Sequence, residues 1–229
     1  MKILVIDIGG THVKLMLSGE PGRRKFNSGP KLTPKQMVQE TLAMTADWTY
    51  DAVSIGFPAP VRDGKPIAEP HHLAPGWVGL KFDKYFKKPV KIINDAALQA
   101  LGGYNGGRML FLGLGTGLGS AMILHDSIIP LELCGLKYSR RYTIEDMLGK
   151  EGLARLGAKR WERTVSEVTA ILKKAFLADD IVIGGGNAKS LKKPPAGTRL
   201  GDNSHALIGG ERLWDKPAGQ PRPHAWQIA

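Results

Sequence analysis

Residues 3–8 read ILVIDI, apolar except for Asp7, and Val13, Leu15 and Leu17 then alternate with polar or smaller neighbours. The pattern predicts two strands, over 3–8 and 13–17, joined by a turn at Gly9-Gly10. PKQMVQETLAMTAD at 34–47 has helical spacing, with Thr33 as cap and Pro34 at the first position. DAVSIGFPAPV at 51–61 predicts a strand that ends in a Pro/Gly loop, and VKIINDAALQAL at 90–101 a strand running straight into a helix. RMLFLGLGTGLGSAMIL at 108–124 predicts a hairpin around a glycine-rich turn.

From Tyr142 to about Lys174 the spacing is helical again, and DDIVIGGGNAK at 179–189 returns to strand, turn and helix start. The two halves therefore share one plan. Trp48, Trp161 and Trp214 read as core or helix-face residues and Trp77 as loop packing, while the Pro-rich tail at 215–229 reads as weakly ordered or draped over the surface.

With 229 residues and 42% hydrophobic content, the chain can bury one large core or two lobes around a cleft. Its net charge of +11 calls for an anionic partner: nucleic acid, a membrane surface, or a phosphate-rich molecule or polymer. Cys134 is the single cysteine, which excludes an internal disulfide framework and a multi-thiolate zinc site. No apolar stretch reaches the roughly 18 residues of a membrane helix. The opening MKILVIDIGG lacks a signal-peptide cleavage pattern, so a cytoplasmic protein with no membrane partner is expected.

The candidate chemistry begins where the apolar runs end. Gly9-Gly10 lets the backbone approach a ligand and turn its N–H groups toward phosphate oxygens, although a plain hairpin turn would use the same residues. Asp7 favours the ligand, because a carboxylate at a buried strand end needs a pairing cation. Magnesium carried in with phosphates would supply one, with Thr11 and Lys14 adding a hydroxyl and a positive charge. LGTGLGS at 114–120 and IGGGNAK at 183–189 repeat the strand-then-glycine pattern. No Walker A element or G-x-G-x-x-G fingerprint is present.

Asn94-Asp95 lies where a strand meets a helix. Both residue types serve as N-caps; alternatively Asp95 projects into a cleft as general base, with Asn94 orienting the hydroxyl it activates, and the two roles are compatible.

DIGGTHVK, GFPAPVRDGKPI with a following GW, the NDA strand end and LGTGLGS resemble, in that order, the sugar-kinase members of the ROK family within the actin-like ATPase superfamily. The later stretches LELCGLKYSRRYTIEDMLGKEGLARLG, VIGGGNAK and RLGDNSHALIGGERLW are most similar to its polyphosphate glucokinase branch. The resemblance implies an α/β fold of two ribonuclease-H-like (actin-like ATPase/hexokinase) lobes around a central cleft, divided at 1–95 and 96–214. It also implies a homodimer. Asp7 would face magnesium and the transferring phosphate, with Gly9, Gly10, Thr11 and Lys14 at the first phosphate turn and Gly115, Thr116 and Gly117 at the second. Gly184, Gly185 and Gly186 would border the donor, which is ATP, polyphosphate or both. Asp95 would be the base, and Asn94, Glu132 and Glu145 would hold hydroxyls of glucose or a related hexose.

The sequence departs from this family at one sugar contact: Gly135 stands where a His follows the sugar-binding Glu. Glu145 would then carry more of the recognition, unless His71 or His72 enters the pocket. The expected activity is phosphorylation of the glucose 6-hydroxyl; another hexose, an amino sugar, or sugar and polyphosphate binding without turnover are the alternatives. Absent zinc-ligand cysteines match the polyphosphate branch, and absence of a helix-turn-helix segment before Met1 argues against a repressor. Lys189, Lys192, Lys193 and Arg199 would guide a long polyanion if they border the donor side. No nucleic-acid module supports RNA or DNA as partner.

Overall fold

The computed structural model describes residues 1–202, 204–215 and 226–228. Its first half contains β1 (Ile3–Ile8), β2 (His12–Leu17), β3 (Arg24–Asn27), α1 (Pro34–Met44), β4 (Ala52–Phe57), a small hairpin of β5 (Val61–Arg62) and β6 (Lys65–Pro66), α2 (Phe82–Phe86) and β7 (Val90–Asn94). The main sheet of this half has the order β3-β2-β1-β4-β7, antiparallel across β1, β2 and β3 and parallel across β1, β4 and β7.

After α3 (Asp95–Gly103) the plan repeats with β8 (Arg108–Leu114), β9 (Leu118–Leu124), β10 (Ser127–Leu131), α4 (Ile144–Leu148), α5 (Lys150–Leu156), α6 (Ala158–Ala175), β11 (Asp180–Gly184), β12 (Thr198–Leu200), α7 (His205–Arg212) and β13 (Gln227–Ile228). The second sheet runs β12-β11-β8-β9-β10-β13, which is the first order again with one edge strand added.

Strand alternation builds the layers. Leu4, Ile6 and Ile8 of β1 pack outward with Met37 and Val38 of α1 and with Trp77, Phe82 and Phe86, whereas Ile3 and Val5 turn inward to α3 and α7. In β8, Met109 and Phe111 join that same inner core, while Leu110, Leu112 and Leu114 face Leu148 of α4 and Trp161, Val165 and Leu172 of α6. Helices α3 and α7 are thus sandwiched between the sheets. Close contact there depends on small residues: a side chain at Gly209 of α7 would run into the Leu98 carbonyl of α3, and one at Gly210 into Val5.

Several elements differ from the sequence expectation. The helix foreseen over 34–47 ends at Met44, because the Thr45 hydroxyl bonds the Thr41 carbonyl at 2.8 Å and Asp47 is held by Arg24. The helical stretch after Tyr142 is three helices, broken at Gly149 and at Gly157, whose φ is 70°. The tail is not wholly draped: Gln227 and Ile228 pair with Ser127 and Ile128, and Trp226 meets Tyr104 edge-on at 6.0 Å. The rest of the Pro-rich tail, 216–225 and 229, lies outside the described residues.

Trp161 is fully buried and donates to the Leu148 carbonyl at 3.0 Å, and Trp77 is buried under its loop. Trp48 is only half-buried, with the Arg24 guanidinium 4.2 Å above its ring, and Trp214 donates to Ser54 at 2.8 Å.

Candidate active site

The inward parity of Ile3 and Val5 continues to Asp7, which is 2% exposed and points toward the start of α3. Its partner across the β1–β2 ladder is Lys14, and the Lys14 ammonium sits 2.8 Å from Asp7 Oδ2. A protein cation therefore meets the electrostatic need of Asp7. Above this pair the turn closes through a Gly9 N–H bond to the His12 carbonyl at 3.0 Å. Ser28 fastens the turn from the end of β3: its hydroxyl donates to the Gly9 carbonyl at 2.6 Å, and its N–H to the Thr11 carbonyl at 3.0 Å. Thr11 is left exposed at the tip.

The second turn occupies the equivalent place between β8 and β9. Asn187 donates to the Gly115 carbonyl at 2.7 Å, the Lys150 N–H reaches the same carbonyl at 3.1 Å, and Glu145 Oε2 accepts from the Leu118 N–H at 3.0 Å. Carbonyls are tied back on the protein side, while Thr116 stays exposed.

Between these turns α3 begins. Asn94 Oδ1 accepts from the N–H groups of Ala96 and Ala97 at 2.9 and 3.2 Å, so the capping role is realised. Its amide nitrogen donates to no other described residue. Asp95 is partly buried at the cleft wall, and dense protein packing, reinforced by the charges of Asp7 and Glu132, raises its carboxyl to about 7. The Ala96 N–H and Lys14 oppose that rise without cancelling it. Such a carboxyl is poised to accept a proton near neutrality.

Glu132 and Glu145 are both exposed at this cleft. Buried Ser120 holds the segment carrying Glu132, donating to the Leu131 carbonyl at 2.8 Å and accepting from the Leu133 N–H at 3.2 Å. Burial and then the charges of Glu132 and Glu145 push the Cys134 thiol up to about 11, which keeps it protonated. Gly135 beside it is exposed, and a side chain there would meet open space.

Asp7, Lys14, Asp95 and Glu132 thus share one electrostatic neighbourhood, and Glu145 joins it through Cys134. The third glycine run is less uniform than the sequence suggests. Gly184 is buried inside β11, where a side chain would strike the Phe111 ring at 2.7 Å, and only Gly185 and Gly186 are exposed. Lys189, Lys192 and Lys193 are exposed as well. Arg199 is committed elsewhere: it bonds Asp180 at 2.6 Å and the Gly103 carbonyl at 2.5 Å, so it supports the sheet and is no free guide for a polyanion.

Ser28 and Asn187 are the residues that sequence reasoning missed. Asn187 lies inside the glycine run IGGGNAK, which is its signal; Ser28, on an edge-strand end far along the chain, carries no local signal.

Among the described residues no group of three or more His, Cys, Asp or Glu side chains converges to hold a metal ion. Nor is any described helix long and apolar enough to cross a membrane.

The sequence model of the ROK family matches residues 3–130. Among solved structures, the inorganic polyphosphate/ATP-glucomannokinase of Arthrobacter sp. strain KM is similar at a TM-score of 0.76 and 20% identity, over 91% of this chain and 96% of that one. A ROK family glucokinase from Streptomyces griseus, in complex with glucose and AMPPNP, is similar at 0.72 and 17% identity, over 93% and 99%. A ROK family protein from Streptococcus pneumoniae TIGR4, in complex with sucrose, gives 0.74 and 14%, over 92% and 96%. A comparison with curated proteins gives no match.

Proposed function

The chain belongs to the ROK family, and on that premise we propose that it is a sugar kinase, transferring a phosphoryl group from ATP, polyphosphate or both to the 6-hydroxyl of glucose. The observation that carries this reading is Asp95. Its carboxyl is raised to about 7 at the joint between two glycine turns, near a carboxylate–ammonium pair at the first turn and two glutamates at the second.

Phosphoryl transfer asks mainly for positioning and charge stabilisation. Asp95 accepts the proton of the attacking hydroxyl; Asn94, through its free amide donors, and Glu132 and Glu145, through their carboxylates, orient the sugar. The N–H groups of Gly10, Thr11, Thr116 and Gly117 face the phosphates, those of Gly9 and Gly115 being engaged by the His12 and Gly117 carbonyls, with Thr11 and Thr116 offering hydroxyls and Lys14 positive charge. Bound magnesium, held by the donor and by Asp7 directly or through water, would neutralise phosphate charge. Exposed Lys189, Lys192 and Lys193 would favour a long anionic donor if they border the donor side.

The test is a coupled assay of glucose 6-phosphate with magnesium, with ATP and polyphosphate in parallel, and Asp95→Asn as control. Product from either donor, lowered about 10²–10⁴-fold in the variant, is expected. A variant at wild-type rate removes Asp95 as base. The open space at Gly135 favours a second reading, in which another hexose or an amino sugar is the acceptor. A hexose panel with faster turnover on such a sugar than on glucose would select it.

A further inference from the structure

We infer that His72 is a phosphate-binding residue of this site, its imidazole meeting the phosphate chain that the Gly9–Thr11 turn receives; the inference rests on the reading of that turn as a phosphate site. A side-chain carbon placed on Gly10 would stand 3.7 Å from His72 Cβ and Cδ2 and 3.8 Å from Cγ, so the ring lies against the turn. Cδ2 is the ring carbon bonded to Nε2. His72 is exposed, which leaves its ring nitrogens open to a ligand.

An exposed histidine on a slack loop would have little meaning, but this loop is fixed on both sides. Pro70 and Leu73 are buried to either side of the His71-His72 pair. The Leu73 N–H donates to the Pro70 carbonyl at 3.3 Å and the Ala74 N–H to the Leu32 carbonyl at 3.2 Å. Glu69 takes three backbone donors from the far side of the loop: Gly76 and Trp77 at 3.0 Å each, and Val78 at 3.2 Å. Trp77 is fully buried and donates through Nε1 to the Ala74 carbonyl at 2.6 Å. The backbone that carries His72 is therefore ordered before any ligand arrives, and binding spends less entropy on it.

Electrostatics give the ring a purpose there. Under the turn, the positive charge of Lys14 is already engaged by Asp7, and Asp95 and Glu132 add negative potential nearby. An incoming polyanion needs further hydrogen-bond donors on its solvent side, and an imidazole N–H supplies one that strengthens when protonated. His71 serves as internal control: it is exposed too, but it is the other residue of the turn closed by the Leu73 N–H bond to the Pro70 carbonyl, and the three atoms nearest a side-chain carbon on Gly10 all belong to His72.

The experiment is a calorimetric titration of inorganic tripolyphosphate with magnesium, and of ATP with magnesium in a parallel arm, into the wild-type chain and the His72→Ala, His72→Gln and His71→Ala variants. Thermal melts verify that each is folded. His72→Ala is expected to weaken tripolyphosphate binding about tenfold, His72→Gln to weaken it less, and His71→Ala to leave it unchanged, while glucose affinity stays at the wild-type value in all. A change seen with tripolyphosphate and ATP alike assigns the contact to the shared phosphates. Equal phosphate affinity in wild type and folded His72→Ala overturns the assignment of His72 alone; so does a loss of sugar affinity without a loss of phosphate affinity. Failure of the wild-type chain to bind either phosphate ligand overturns the phosphate turn itself and His72 with it.

Discussion

The two glycine turns occupy the same place in a repeated topology, yet their walls are built from opposite materials. The first hairpin ends in the pairs Asp7↔Lys14 and Ile8↔Val13, the second in Gly113↔Gly119 and Leu114↔Leu118. Where the first half sets a buried carboxylate paired with a half-exposed ammonium, the second sets two glycines. The start of α3 explains the asymmetry. A side chain on Gly119 would stand 2.8 Å from Ala96 Cβ, and one on Gly56, the β4 partner of Asp7, would meet Leu98 at 2.8 Å and the Asp95 Cα at 3.4 Å. One half supplies charge, the other supplies room, and α3 wedges Asp95 between them.

Filling the room tests the comparison most severely. Gly119→Val puts branched carbons where Ala96 already stands, and overpacking of this kind destabilises by about 1–3 kcal/mol; displacement of Asp95 by about 1 Å would lower turnover on the order of 100-fold. Melting curves and kcat measure the two effects. A variant with normal stability and normal kcat would show that α3 does not depend on this approach.

Removing the charge comes next. Lys14→Met leaves the Asp7 carboxylate without its cation, at a cost of about 1–3 kcal/mol measured by denaturant unfolding. The half-exposed position of Lys14 keeps the figure below that of a fully buried pair. Because Lys14 holds the Asp95 carboxyl down and Glu132 pushes it up, Lys14→Met should move the acid limb of the pH–rate profile to higher pH and Glu132→Gln to lower pH. Shifts of the same sign in both variants would exclude this electrostatic network.

The wild-type profile itself is the third measurement. A general base acts when ionised, so kcat/KM should rise with pH through about 7, the value of the free Asp95 carboxyl, and level off above it. An acid limb near the usual carboxylate range, about 4, would mean that the cleft is more solvated than its packing implies.

The smallest effects separate the two turns. Ser28→Ala and Asn187→Ala each remove one side-chain bond to a turn carbonyl, at 2.6 and 2.7 Å, worth about 0.5–1.5 kcal/mol. Each should raise the donor KM several-fold and leave the sugar KM alone. If one turn alone serves the donor, one of the two variants will be silent.

Local pattern carried much of this protein. Largely apolar runs at 3–8, 52–57 and 108–114 required buried strands, and the Asp7 carboxylate, the glycine turns and Asn94-Asp95 were visible because each breaks or ends such a run. Short strands at or near the sheet edges were not legible: RKFN at β3 is half-exposed and polar at most positions, and β10 contains Pro130. Helix α7 was hidden as well, since Gly209-Gly210 lowers helix propensity and is tolerated only because α3 and Val5 lie so near.

What the sequence by itself determined is the chemistry on offer: carboxylates, glycine turns and caps at strand ends, where period-2 burial leaves no other use for them. Only the tertiary structure decided how they are spent. Lys14 pairs with Asp7 across a tight hairpin, while Arg199 is consumed by Asp180, Gly184 packs on Phe111 and His72 settles against Gly10 through contacts between segments further apart along the chain. Periodicity specifies which face a residue takes; which neighbour it meets there depends on the layers that close over it.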